Sequence, residues 1–533
     1  MMNRGWLSAR APIQHLTAAV IFVFIPAHAA ETPPRLTFDE LITLSQQQDL
    51  DPALQAKLNA VLTTPYVVDR PAPSASAPAQ LHVTEWNIER GEQLDNIELL
   101  LKSPDSFLKR AQQAKKYSPQ ALKKLRAQAT TLRQSDVLIL NEVDQGMKRT
   151  DYRNVTQELA QTLGMSSAYS VEFLEVDSLT DLGIEAAVLD TPELSARMTE
   201  DLKPDRDRYE GMHGNAILSR YPLQNVRVLS LPVCHDWFSQ EMQAISQLEK
   251  TKRKAARVAF LERITREVRR GNRQALLADI TLPGSKPVTV HLVNAHLENK
   301  CKADCRARQM RRVLEEVGDA AGPVILAGDL NTTGTDGTPT SIRYELTTRL
   351  KDYQFWIGTF LQFTPAGVPA YVTTPFNFWK NFRDPTALHV PVLAKNREAR
   401  MFADVRKFRF ADDGSFDFRG LASRNLQRSR KTLSDSNERA AKGFTPTFAM
   451  LRDYGGFLRY RLDWIFVKPP PGEDRPDTFQ IFEPETPMTL DDLNRALPER
   501  LSDHAPITVQ LPVAPVESHA GLSVCTISNI CFP

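Results

Sequence analysis

The chain has 533 residues, of which 42% are hydrophobic and 24% charged, with a formal net charge of +2 and a pI of about 8.2. This composition excludes a disordered or fibrous chain and supplies enough apolar material for a substantial core. The near balance of acids and bases also excludes binding of polyanions by bulk charge, so any partner preference must come from local patches.

At the N-terminus, Arg4 and Arg10 precede the apolar run "LTAAVIFVFIP", and "AHAA" ends at Ala30. This layout predicts a secretory signal peptide over residues 1–30 and a secreted or periplasmic mature protein. An uncleaved anchor is the alternative, but the run is shorter than the ~20 residues a spanning helix needs. No other stretch reads as a membrane span. Next, Thr37-x-x-Glu40 forms a capping box and Asp51 caps a turn opened by Pro52, which predicts two short helices. "PAPSASAPAQ" at 71–80 reads as a linker, so 31–80 is expected to be a helical segment with a linker ahead of the main domain.

From 81 to about 512, short apolar strands alternate with helical stretches: "LHVTEWNI", "DVLILNEV", "NAILSRY", "VTVHLVNAHL", "PVILAGDLN", "LDWIFVK" and "APITVQL". The alternation predicts an α/β layered domain with sheet at its centre. Insertions interrupt it near 101–133, 235–275 and 350–445, and the last is too long to lack elements of its own. Residues 513–533 read as a tail. Of the five cysteines, Cys301 with Cys305 and Cys525 with Cys531 are expected to form two local disulfides, leaving Cys234 over. A zinc site on Cys234 and His235 lacks a second spaced ligand pair.

Several strands end on polar side chains. "ILAGDLNTT" stops on Asp329 and Asn331, and residues i and i+2 of an extended chain face the same way. "TEWNIERG" offers Asn87 and Glu89 at the same spacing, "VLILNEVD" offers Glu142, and "HLVNAHLEN" offers His296. His213 and Asn215 lie in "HGNAILSRYPL", Asp463 lies in "RYRLDWIFV", and "LSDHAPI" carries Asp503 and His504. Singly, each reads as a solvated or capping group. Together they form a set whose burial without partners would cost several kcal/mol per group.

In chain order, "WNIERG", "LNEVD", "GNAILSRYPL", "VNAHLE", "AGDLN", "RLDWIF" and "SDHAPI" resemble the signature segments of the endonuclease/exonuclease/phosphatase superfamily, over about residues 81–512. The resemblance implies a four-layer α/β sandwich, with two packed mixed β-sheets flanked by helices and the active site at one edge. It also implies metal-dependent phosphoester hydrolysis. Glu142 corresponds to the main ligand of a divalent metal, with Asn87, Glu89 and Asp503 completing its surroundings directly or through water. Hard oxygen donors suit Mg²⁺, with Mn²⁺ as the alternative. Asp329 corresponds to the base that takes a proton from the attacking water, and Asn331 to a group that orients that water or hydrogen-bonds the charge developing on phosphorus. His504 would donate to phosphate, with Asp463 holding its ring. His296 matches the second histidine of the deoxyribonuclease and sphingomyelinase branches. Asn87 is expected at the substrate, and Asn215 either touches it or only closes a turn. Glu89 departs from the Asp that several members carry, and its length argues for contact through water.

The substrate stays open between nucleic acid (DNA or RNA) and phospholipid. The basic stretches at 108–133 and 250–274 could follow a nucleic-acid backbone, or serve as solvated helix faces. The aromatic stretches "DYQFWIGTFLQF" and "FNFWKNF" could rest on a lipid interface, or pack as core. A phosphomonoesterase acting on a small substrate, and a binding module that keeps the fold without turnover, are the alternatives. A monomer is expected.

Overall fold

A computed structural model describes residues 34–70, 78–176, 204–243, 267–284, 286–332, 386, 397–416, 436–440, 443–450, 459–470, 482 and 484–513. By its internal contacts the chain divides into Met1–Pro33 and Pro34–Pro533, and every described residue belongs to the second unit. The predicted signal segment, residues 71–77 of the linker, both aromatic stretches, the basic run over 250–266, Cys525, Cys531 and the tail after 513 lie outside the described residues. No helix among the described residues is long and apolar enough to cross a membrane.

The capping signals form as the sequence predicts. Glu40 N–H donates to Thr37 Oγ1 at 3.3 Å and Thr37 N–H to Glu40 Oε2 at 2.7 Å, opening α1 (Phe38–Gln46). Asp51 accepts from Ala53 N–H and Leu54 N–H to open α2 (Pro52–Thr63). These caps satisfy backbone donors that have no partner inside the helix. A short strand, β1 (Tyr66–Val68), follows. β2 (Gln80–Arg90), α3 (Leu94–Lys102), α4 (Pro104–Ala114), α5 (Pro119–Arg133) and β3 (Val137–Gln145) come next. They lead to α6 (Val155–Leu163), β4 (Ser166–Glu175), β5 (Met212–Ser219), β6 (Gln224–Ser230), α7 (Trp237–Gln243) and β7 (Arg269–Gly271). The chain continues through β8 (Gln274–Leu282), β9 (Val288–Ala295), α8 (Ala303–Val317), β10 (Val324–Asp329) and α9 (Ala399–Lys407). Two small hairpins join β11 (Arg439–Ala440) to β12 (Gly443–Phe444) and β13 (Phe448–Ala449) to β14 (Arg459–Tyr460). β15 (Asp463–Lys468), β16 (Glu485–Thr489), α10 (Asp491–Asn494) and β17 (Ile507–Pro512) complete the described elements.

The strands form two mixed sheets. The first runs β1-β4-β5-β3-β2-β17-β16 with β7 on β4, and the second runs β15-β10-β9-β8-β6. Among the described strands, only β2–β3 and β9–β10 pair in parallel. Leu81, Val83, Ile139 and Ile217 of the first sheet share one core with Ala278, Leu292, Ile325 and Ile465 of the second. The outer face of the first sheet, with Trp86, Ile88 and Leu138, is covered by apolar faces of α1 to α6. The outer face of the second, with Leu277, Val293 and Trp464, is covered by α8 and α9. This is the expected four-layer sandwich of helix, sheet, sheet and helix. The basic stretch at 108–133 forms most of α4 and α5, burying Leu108, Ala111, Leu125 and Leu132 while Lys109, Arg110, Lys123 and Lys124 stay exposed.

The expected Cys301–Cys305 disulfide does not form. Cys305 pairs with Cys234 across 71 residues, at a Cα–Cα distance of 5.9 Å, and Cys301 is free. The cause is tertiary: the loop after β6 reaches the first turn of α8, where Cys305 lies. Cys301 sits before the helix, with its sulfur against the carbonyls of Glu298 (3.5 Å) and Lys302 (3.3 Å). Engagement of Cys234 also removes the zinc alternative.

Candidate active site

The two-residue period of the strands builds the site. Along the face of each sheet that meets the other, apolar residues give way to polar ones at the same end. Leu81 and Val83 lead to Glu85 and Asn87, Ile139 to Asn141, and Ile217 to Asn215 and His213. Leu292 leads to Asn294 and His296, Ile325 and Ala327 to Asp329, and Val467 and Ile465 to Asp463. All of these polar residues are buried. The inter-sheet core therefore ends in a polar layer, where each group needs a partner.

Asp329 stands at its centre. Its backbone N–H donates to Asn141 Oδ1 (2.7 Å), Oδ1 accepts from Asn331 N–H (2.9 Å), and Oδ2 accepts from Asn87 Nδ2 (3.2 Å). His296 Nε2 and His504 Nε2 each lie 3.8 Å from the same Oδ2. Both histidines are braced from behind: His504 Nδ1 lies 2.8 Å from Asp463 Oδ2, and His296 Nδ1 lies 3.0 Å from Glu172 Oε2. Asn141 Nδ2 donates to Asn215 Oδ1 and Asn294 Oδ1, both at 2.7 Å, which ties the two sheets together beneath Asp329.

Charge follows from this crowding. Burial raises the Asp329 carboxyl above its usual value and Asp463 adds to the rise, against the opposing pull of His504 and His296. Burial alone would lower His504, but the carboxylates of Asp463, Asp503 and Asp329 outweigh it and hold the imidazole well above its ordinary range. Glu142 goes the other way. Despite burial, Arg90, His213, His296 and Arg273 keep its carboxyl well below the usual range. Glu89 is pushed up to about 8, first by burial and then by Asp503, whose backbone N–H donates to Glu89 Oε2 at 2.8 Å.

Glu89, Glu142 and Asn331 are non-glycine residues with φ of 47°, 51° and 49°. Such backbone costs on the order of 1–3 kcal/mol per residue and persists where the surroundings enforce it. The β2–β3 pairing shifts register between Asn87 and Arg90, and β3–β5 shifts between Leu140 and Val143, so Glu89 and Glu142 lie in bulges that re-aim their side chains. This overturns the simple i, i+2 expectation. Asn331 does not share a spot with Asp329: its Nδ2 donates to the Leu297 carbonyl (2.9 Å) and its N–H fixes Asp329 Oδ1.

Of the expected residues, Asp329, Asp463, His504, His296 and Asn87 converge. Asn215 is buried in the amide cluster, and His213 pairs with Asp144 at 2.9 Å. Glu142, Glu89 and Asp503 do not close on one another as a trio. Among the described residues, Asp329, Asp463 and His504 do, with one donor atom from each within 4.8 Å of the others. The half-buried Glu89–Asp503 pair and the buried carboxylates of Asp329 and Asp463 concentrate oxygen donors, and Glu85 adds a fully buried carboxyl pushed well above its usual range by burial, Asp463 and Asp329. That donor set fits a hard divalent cation.

Sequence reading missed Glu172, Arg273, Asn141, Asn294 and Glu85. The last three stand at strand period from Asp329-facing residues or within the motifs already noted, so alternation could have found them. Glu172 lies on β4, where burial on both faces hides any alternation.

A two-sheet α/β sandwich with a buried carboxylate flanked by two carboxylate-braced histidines at one edge is the fold and candidate site of this chain. The Endonuclease/Exonuclease/phosphatase family model matches residues 85–387, more than half of the chain, and the protein belongs to that family, whose members depend on a divalent metal. Among curated proteins none matches the sequence. Solved structures similar to it include an endonuclease/exonuclease/phosphatase from Beutenbergia cavernae, at 15% identity over 82% of this chain and 72% of that one, with a TM-score of 0.34. A 3'-5' exonuclease from Neisseria meningitidis is 14% identical over 80% of this chain and 98% of its own, with a TM-score of 0.35. The human Nocturnin catalytic domain is 12% identical over 84% and 97%, also at 0.35.

Proposed function

We propose that the protein is a secreted or periplasmic phosphodiesterase that uses Mg²⁺, or Mn²⁺, on a nucleic acid or a phospholipid headgroup. The observation that carries this reading is the position of Asp329, held by three hydrogen bonds with two histidine nitrogens 3.8 Å from its Oδ2. Its raised proton affinity suits a base that takes a proton from water. Asn87 Nδ2 holds Oδ2 in place, and Asn331 N–H holds Oδ1. His504, kept protonated by the surrounding carboxylates, donates to a phosphoryl oxygen. Glu142, Asn87, Glu89 and Asp503 would hold the cation, directly or through water. When bound, the cation would neutralise charge on the phosphoryl oxygens and the leaving group.

The test is product release by the mature protein with Mg²⁺ and then with EDTA. The substrates are duplex DNA, RNA, sphingomyelin vesicles, an inositol phosphate and an aryl phosphodiester. Metal-dependent turnover of one of them, lost in Asp329→Ala, is the expected result and names the substrate class. Turnover that survives Asp329→Ala removes the proposed base. Turnover of monoesters alone gives the phosphomonoesterase reading instead.

A further inference from the structure

Helices α4 and α5 carry charge of one sign. Residues 102–133 hold nine Lys and Arg against one acid, Asp105, while the whole chain nets only +2, so the rest of the chain is net acidic. A helix face kept soluble by charge alone interleaves both signs at i, i+4 spacing, and α5 contains no acid at all.

The helix period shows where these charges meet. A short turn joins α4 to α5, which makes them antiparallel neighbours, and the Asp105–Arg126 ion pair at 2.9 Å aligns them. Lys109 follows Asp105 at i+4 and Lys123 precedes Arg126 at i−3, so both stand on the same seam, level with each other and one turn nearer the α4–α5 connection. All four residues are exposed. Arg110 stands beside Lys109, and Lys116 lies in the turn itself. Lys109, Arg110, Lys116 and Lys123 make no ion pair among the described residues. Like charges held level repel, and an anion seated between them relieves the repulsion.

The seam leads to the site. α5 runs into the start of β3, whose far end carries Glu142, so the α4–α5 turn lies at the site's end of the sheet. There Lys115 Nζ donates to the carbonyls of Arg495 and Leu497, both at 2.7 Å, and Tyr117 Oη donates to the Ala496 carbonyl at 2.6 Å. The chain continues from Leu497 to Asp503, whose N–H donates to Glu89 at 2.8 Å.

The chemistry of the face selects its occupant. Docking on a lipid surface buries apolar side chains in it, but the large apolar residues exposed among the described ones, Ile42, Val68, Val233 and Met242, lie elsewhere. Binding of a bare strand uses aromatic side chains as stacking platforms, and the one aromatic of these two helices, Phe107, is buried. What the face offers is contact with phosphates, which suits a duplex whose bases are already stacked. α5, with 15 residues, is about 22 Å long, the axial length of about six base pairs.

We infer that the α4–α5 face docks the backbone of a nucleic-acid duplex without reading its sequence, and leads one strand toward Asp329. The inference rests on the phosphodiesterase reading for that delivery and narrows its substrate to nucleic acid, while the docking itself needs no turnover.

The experiment is fluorescence anisotropy of a labelled DNA duplex of about 20 base pairs with the full-length protein in EDTA, from about 50 to 200 mM salt. The wild type is compared with Lys109→Gln/Lys116→Gln/Lys123→Gln. Four engaged bases give a log–log slope of about −3.6, a loss of about 150-fold in affinity over that range, and the triple variant should fall to about −0.9, a loss of about threefold. No duplex binding by the wild type, or an unchanged slope in the folded variant, overturns the inference. So does binding to phosphatidylserine vesicles that the variant loses while its duplex binding stays. The wild-type slope is read without any variant, so a variant that fails to fold leaves the inference testable. Duplex binding with the expected slopes but no phosphoester hydrolysis after Mg²⁺ is added fails the phosphodiesterase reading alone. Hydrolysis of the aryl phosphodiester by a protein that binds no duplex fails the docking face alone.

Discussion

Replacing Cys234 by serine in a Cys301→Ser background removes the tie between the loop after β6 and α8 without offering Cys305 a substitute partner. The lost constraint spans 71 residues. Loop-closure entropy for that length is about 15 cal/mol/K, or about 4 kcal/mol at room temperature. A Cys301–Cys305 loop would contribute only about 2 kcal/mol by the same relation. The Cys301→Ser parent should therefore be as stable as wild type, and the added Cys234→Ser should cost about 4 kcal/mol, read as a lower guanidinium midpoint. Peptide mapping without reduction should recover the Cys234–Cys305 pair. Burial pushes the Cys301 thiol up to about 12, so it is a poor nucleophile and the native pairing survives handling. A recovered Cys301–Cys305 peptide, or a Cys301→Ser protein as destabilised as the double variant, would refute the reasoning.

Asp463→Asn removes the charge that braces His504 at 2.8 Å, and should lower kcat on the order of 10²–10⁴-fold while the fold persists by circular dichroism; an unchanged kcat would show that His504 needs no such brace. Gly328 has φ of 146°, and a Cβ there would meet the Ala295 carbonyl oxygen at 2.0 Å, so Gly328→Ala should push β10 from β9, cost about 1–3 kcal/mol and displace Asp329. A thermal melt with a parallel activity assay checks this, with activity falling further than stability alone would require. Away from the site, Asp279 bonds His291 at 2.7 Å, raising the His291 pKa through that hydrogen bond against the effect of burial, while Asp279 itself is lowered despite burial. The raised His291 contributes stability in full below the unfolded value of about 6.5, and loses it as pH rises through the folded value; the lowered Asp279 contributes above about 3.9 and loses it as pH falls through its folded value. Urea unfolding of wild type against His291→Gln should therefore differ most between about pH 4 and 6.5 and converge in alkali; a gap that widens above neutrality would contradict the sign.

Much of the architecture is legible because it depends on short-range rules. The Thr37 box and the Asp51 cap start helices where the sequence says, and the seven strands noted from apolar runs all form. Of the strands that escaped notice, β8 does carry an apolar run, whereas β4 and β6 lack that signature. β4 is buried along its whole length, and β6 is mostly exposed. The centre of the site was legible for a related reason: Asp329, Asp463 and His504 sit at or next to strand ends, where alternation fixes their direction. Arg273 gave no such signal. It follows β7 within a basic run that reads equally well as a solvated helix face, yet it is buried between Glu172 and Glu298.

The sequence by itself determined the helix starts, the alternation of apolar and polar residues, and hence the polar end of the inter-sheet core. Tertiary structure alone decided which groups face one another across 100 residues or more: Glu172 behind His296, Asn141 beneath Asp329, and Asp503 against Glu89. It also decided that Cys234, not Cys301, meets Cys305. The physical reason is range. Caps and strand alternation act within a few residues, whereas these pairings exist only once two sheets have packed, with bulges turning Glu89 and Glu142, and the turn after β10 turning Asn331, out of the extended conformation.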